Sequence, residues 1–231
     1  MKTLLRATTV LGFLVAVSTA SGQKIDTKSI DLAIERAEES AKILKDITAL
    51  PDDKGIPKDL KEQSILVGVV PDAARLSLLV SRTTVGHGIL SERKADKSWG
   101  LPLFISYNSS PGFKFSSAGG KRMDLVFAVT LERSATTGAK RDTVKIKTYT
   151  YAFADGDLKL INTESLSNDS FFALSGFFND SSRWRNDELL NKAVYGVKGR
   201  EVDAGKVTKP MISSPAITDF RDTLNHLFAI K

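Results

Sequence analysis

Apolar side chains at Ile30, Ile34, Ala37, Ala41, Leu44 and Ile47 recur every three or four positions. That is the period of one helix face, and it predicts a helix over residues 26–50. Asp26 or Thr27 can cap its start, and Pro51 ends it. Its other face carries Glu35, Glu38, Glu39, Lys42 and Lys45. The mixed sign fits a solvated face on a folded domain, since a membrane-surface helix would carry more Lys and Arg. Pro57 opens a short second helix through about Gln63.

The period then changes. Ile65 to Val70 is an unbroken apolar run, read as a buried strand that stops at Pro71, which has no N–H for a ladder. Asp72 to Leu79 fits either a turn of helix or a bent strand. Short strand-like runs follow at Val85–Glu92, Leu103–Tyr107, Phe113–Ser117, Leu125–Glu132, Thr143–Phe153 and Leu158–Thr163. Asp155-Gly-Asp157 marks a tight hairpin turn between the last two, and residues 134–142 read as an exposed loop. Helical spacing returns from Asp187 to Tyr195, with Gly196 as C-cap. It recurs after Ser214-Pro215, where Ile217, Phe220, Leu224 and Leu227 share a face. The expected class is α+β: a curled antiparallel sheet, barrel- or sandwich-like, with an N-terminal helix and C-terminal helices.

Composition changes this picture in two places. The chain has 231 residues, 42% hydrophobic, and no cysteine. One domain over residues 23–231 can therefore bury a core, without disulfides or thiolate metal sites. The first 22 residues read as an export signal. Lys2 and Arg6 precede an apolar run, Val10 to Val17, which is too short to span a bilayer, and small residues allow cleavage after Ala20 or Gly22. The alternative for this segment is an uncleaved anchor. Without a lipobox cysteine, the expected destination is periplasmic or secreted, in a bacterial cell envelope. There are 33 Lys and Arg against 27 Asp and Glu, a net +6; the first 22 residues hold two of the basic ones, so the remainder carries +4. A mild positive balance favours anionic partners weakly. Without a long basic run, nucleic acid is not expected.

Catalytic signatures are missing from the sequence. There is no G-x-S-x-G elbow, no P-loop and no G-x-G-x-x-G. His87 and His226 are the only histidines, and neither has partners at a metal-ligand spacing. Gly86-His-Gly88 is read as a tight, glycine-flanked strand entry. No catalytic residue, metal or cofactor is assigned. The candidate chemistry is cationic: Arg93, Lys94 and Lys97 occupy a turn before Trp99, and Lys121-Arg122 follow two glycines. Such loops hold phosphate through cations and backbone N–H groups, and Trp99 suits the head-group level of a membrane. Ser170–Phe178, with paired phenylalanines, is either core or an interfacial patch.

Several blocks in order carry a resemblance. They are Ile56-Pro57, Ile65 to Pro71, Gly86-His-Gly-Ile-Leu-Ser-Glu-Arg93, Trp99-Gly-Leu-Pro102, Gly112 and Asp124-Leu-Val126. A later block is Phe172-Ala173, Arg185, Asp187, Asn191 and Tyr195-Gly196. Over roughly residues 30–196 the chain resembles the SYLF family of lipid-binding domains. It departs from that pattern at Leu78–Arg82, where the family carries glycines, at Gly100, where a serine follows the tryptophan, and at Thr143–Ser165, which replaces a glycine-rich middle. The resemblance implies binding of lipids, chiefly acidic phospholipids, without catalysis. The expected partner is a phospholipid or other anionic amphiphile at a membrane surface. The alternative expectation is an envelope structural or protein-interaction module without a lipid ligand, and a hydrolase with scattered residues is a distant third.

Overall fold

The computed structural model describes residues 26–77, 82–108, 122–134, 143–168 and 184–229. The expected export signal, Phe113–Ser117, Lys121, most of the 134–142 loop and Ser170–Phe178 lie outside the described residues.

Helix α1 spans Thr27–Thr48, capped by Asp26, whose carboxylate accepts from the Lys28 N–H. Its buried face holds Ala33, Ala37, Ser40, Ala41, Leu44 and Ile47, so the stripe is built largely of small residues. Small side chains let another helix approach closely. That helix is α5 (Pro215–Leu227), tied to α1 by Lys45 and Asp219 at 2.6 Å. Helix α2 is Lys58–Gln63, α3 is Glu188–Tyr195 and α4 is Gly199–Asp203. Asp187 caps α3 at its start, and Gly196 ends it with φ +74°, the left-handed cap that glycine adopts without strain.

The strands are β1 (Ser64–Ser77), β2 (Arg82–Glu92), β3 (Leu103–Asn108), β4 (Met123–Ser134), β5 (Thr143–Ala154), β6 (Asp157–Asn168) and β7 (Trp184–Asn186). They form one antiparallel sheet in the order β6-β5-β4-β1-β2-β3-β7. The expected α+β class, with an antiparallel sheet between terminal helices, holds; the sheet is open, not closed into a barrel. Asp155 (φ 53°) and Gly156 (φ +77°) form the two-residue turn between β5 and β6, where Ala154 pairs with Asp157.

Pro71 does not end its strand. β1 takes five steps from Val69 to Ala74 while β2 takes four from Ile89 to Val85, so one extra residue bulges out. Against β4 the count is three steps to two. A bulge needs no ladder N–H from every residue, which is why a central strand admits proline there. Asp72 in the bulge has φ 51°, and its N–H donates to Asp124 Oδ1 at 2.9 Å. Residues 72–77 are the bent strand, not a turn of helix.

The apolar run of β1 is continuous because both its faces are covered. Alternation and register place Leu66, Leu90, Ile105, Tyr107, Phe127 and Trp184 on one face, each at most 3% exposed. Phe127 meets Trp184 edge-on at 4.3 Å, with Tyr107 5.0 Å from both. Val67, Val69, Ile89, Phe104 and Val126 alternate to the other face and are buried too. Asp124 shares that second face and feels the charges of Lys42 and Asp46, so α1 lies over it.

Gly86 and Gly88 allow β2 to lie on the bulge. A Cβ on Gly88 would fall 2.0 Å from the Val69 carbonyl oxygen, and one on Gly86 2.4 Å from Val70 Cγ1. The Gly-His-Gly motif is thus a close backbone approach.

Candidate functional site

The cationic residues expected to bind together lie at opposite ends of the sheet. Glu92, next to Arg93, pairs with Leu66, whereas Met123, next to Arg122, pairs with Ala73. Seven residues of strand separate those positions, roughly 20 Å at about 3.3 Å per residue.

Arg93 is a structural tie. Its guanidinium donates to the carbonyls of Glu62 (2.7 Å), Lys61 (3.1 Å) and Phe228 (2.7 Å), and stacks 4.8 Å from the Trp99 ring centroid. Burial pushes its pKa down. Trp99 is 2% exposed, with its ring edge-on to Phe228 at 5.6 Å, and has no surface to offer at a head-group level. The reason is the bridge between Arg93 and Trp99, which folds the intervening turn back onto α5. Lys94 and Lys97 are exposed on that turn. Lys97 has φ 69°, and Asp96 accepts from both the N–H and the hydroxyl of Ser98. Arg122 is exposed and ion-paired with Asp72.

A different group of residues forms a groove. Its cavity of about 470 Å³ opens between α1, the β1 bulge and the adjoining ends of β2, β3 and β7. Arg36 and Arg185 supply guanidinium groups, His87, Ser106 and Asn108 further polar groups, and Pro71, Ala74, Val85 and Tyr107 an apolar part. Arg36 Nη1 donates to the His87 carbonyl at 2.9 Å, while its Nε is buried without a partner. The Arg185 side chain is exposed, and its backbone is fixed opposite Ser106 by the β3–β7 pairing. Among the described residues Asp72 is the one carboxylate in the lining, and Arg122 pairs with it.

Behind Asp72 stand two more carboxylates. Asp124 is pushed up from the usual aspartate range by burial, against the Asp72 N–H bond that lowers it. Glu39 is also raised by burial, with Arg36 opposing. His87 Nδ1 lies 3.7 Å from Asp187 Oδ2. Among the described residues no group of three or more His, Asp or Glu is placed to hold a metal ion. His226 sits exposed on α5.

Sequence reasoning did not single out Arg36 or Arg185, which the fold brings to the groove. Arg36 is a basic residue among the acidic ones of α1's first half, and Arg185 stands in the late block that resembles the SYLF pattern. Asn191 of that block is fully buried. Its side chain accepts from Phe104 N (3.0 Å) and donates to Phe104 O (2.8 Å), an oxygen that also accepts from the Asp187 N–H (2.9 Å) just past the end of β7.

No protein-family model, curated protein or solved structure matches this chain, so the likeness to SYLF domains stands on the sequence blocks alone.

Proposed function

We propose that this protein is an exported, non-enzymatic binder of acidic phospholipid head groups at a membrane of the cell envelope, of SYLF type. The observation that carries this reading is the groove with Arg36 and Arg185 at its polar end. Guanidinium groups form bidentate, charge-assisted bonds to phosphate. With Asp72 already paired to Arg122, the lining is left net positive. A volume of about 470 Å³ suits a head group. The sheet's inward faces support grip by the head only. Leu66, Val70, Leu90, Ile105, Phe127 and Trp184 are at most 3% exposed, so these side chains offer acyl tails no surface. The tails stay in the bilayer.

The test is sedimentation with vesicles of phosphatidylcholine containing phosphatidylglycerol. Replacing Arg36 and Arg185 with Ala removes two charge-assisted contacts and is expected to weaken binding by at least about tenfold. Wild-type binding should fall with added salt, because exposed charges are screened. Equal binding by the double variant refutes the reading.

A second reading has one observation in its favour. β6 is an edge strand of 12 residues with Leu160 52% exposed, a surface on which another protein's strand can pair. A stable partner cross-linked in intact cells, with no effect of lipid, favours that module.

A further inference from the structure

The outer side of α3 carries an exposed amphiphilic stripe that begins at the groove. Leu189 is 63% exposed and Met211 61%. Leu189 and Gly196 are seven residues apart, hence on one side of the helix and its cap, separated by about 10 Å. Met211 lies over Gly196. Its N–H donates to the Val194 carbonyl at 2.8 Å, and its sulfur occupies the place a Cβ on Gly196 would need. Lys192 stands between the two apolar side chains, exposed and paired with no carboxylate among the described residues. Arg185, at the near end, already lines the groove.

The acidic residues of this region are turned to other uses. Asp187 accepts from the Leu190 N–H, Glu188 from the Gly199 N–H and Glu201 from the Lys198 N–H. Lys198 and Arg200, after the end of α3, are exposed. These three carboxylates keep their charge but are only partly exposed, whereas Arg185, Lys192, Lys198 and Arg200 are exposed, so two large apolar side chains stand among cations that outnumber the carboxylates four to three. That combination complements an anionic bilayer, whose phosphates take the cations while its acyl boundary takes leucine and methionine.

We propose that this face of α3, with Leu189, Lys192 and Met211, is the surface by which the protein lies on an anionic membrane, and that it delivers the groove to a head group. The proposal rests on the head-group reading of the groove, and adds the docking face and the apolar insertion.

The experiment uses the full chain and two probes: phosphatidylglycerol-containing vesicles, read by sedimentation, and soluble glycerol phosphate, read by calorimetry. L189S/M211S is expected to bind vesicles about tenfold more weakly, from the lost apolar burial. It should bind glycerol phosphate as wild type does and melt at the same temperature, since both side chains are exposed. K192E should weaken vesicle binding and flatten its salt dependence, since one cationic contact is lost, without altering glycerol phosphate binding. Vesicle binding unchanged in L189S/M211S, or absent in wild type, overturns the docking face. If instead the stripe variants fail on vesicles while R36A/R185A binds both probes normally, the docking face stands and the groove reading falls.

Discussion

Gly88→Ala tests the bend of the sheet most directly. The added Cβ would meet three backbone atoms: Val69 O at 2.0 Å, Val70 Cα at 2.8 Å and Val69 C at 2.9 Å. No rotamer relieves a clash with backbone. β1 must withdraw by over about 1 Å to restore ordinary contact. Val69 and Val70, both fully buried, lie at this crossing, and Val69 pairs with Ile89. Losing about two ladder bonds at about 1 kcal/mol each, with the packing strain, gives a cost of roughly 3–4 kcal/mol. For a chain of this size that is a fall in Tm on the order of 10 °C. Gly86→Ala is the control, because its close neighbour is a side-chain methyl, Val70 Cγ1 at 2.4 Å, and the next atoms stand at 3.5 Å. Val70→Ala removes that methyl, so G86A and V70A together should cost less than their sum, whereas V70A should not rescue G88A. Urea unfolding of the five variants and wild type measures all of this. A G88A protein within about 0.5 kcal/mol of wild type, or strict additivity of G86A with V70A, refutes the close crossing of β2 over the bulge.

Two further outcomes concern stability alone. Asn191→Ala strands the buried N–H of Phe104, whose carbonyl keeps the bond from the Asp187 N–H, and should cost about 1–3 kcal/mol in urea unfolding; Asn191→Asp sets a carboxylate at this fully buried position, facing the Phe104 carbonyl oxygen, and should cost more. Asp124→Asn keeps an acceptor for the Asp72 N–H while removing a charge that burial disfavours. A carboxyl whose folded pKa is raised contributes stability below its unfolded pKa and loses it as pH rises through the folded value. The variant should therefore melt above wild type at neutral pH, with the gap closing as pH falls towards 3.8, the ordinary aspartate value. A gap that does not change with pH refutes the burial effect.

Local chemistry was legible and long-range juxtaposition was not. Asp26 before α1, Asp155-Gly156 between β5 and β6, and Gly196 after α3 act within a few residues, so pattern alone placed them. Pro71 misled because a bulge is defined by the neighbouring strands, not by the strand that bears it. β7 is three residues long, and its pairing with Ile105–Tyr107 gives no periodic signal. The candidate site follows the same division. Arg36 and Arg185 line one groove only because α1 crosses β2 and β7 pairs with β3, whereas Arg93, Lys94 and Lys97 stood together in sequence and looked like a site. Trp99 read as an interface residue because its burial comes from Phe228, far along the chain.

The guanidinium of Arg93 has a consequence for the order in which this protein matures. It joins the carbonyls of Lys61 and Glu62 to that of Phe228, and α1 packs on α5. During synthesis, the early segments must wait unclosed until nearly all the polypeptide has left the ribosome.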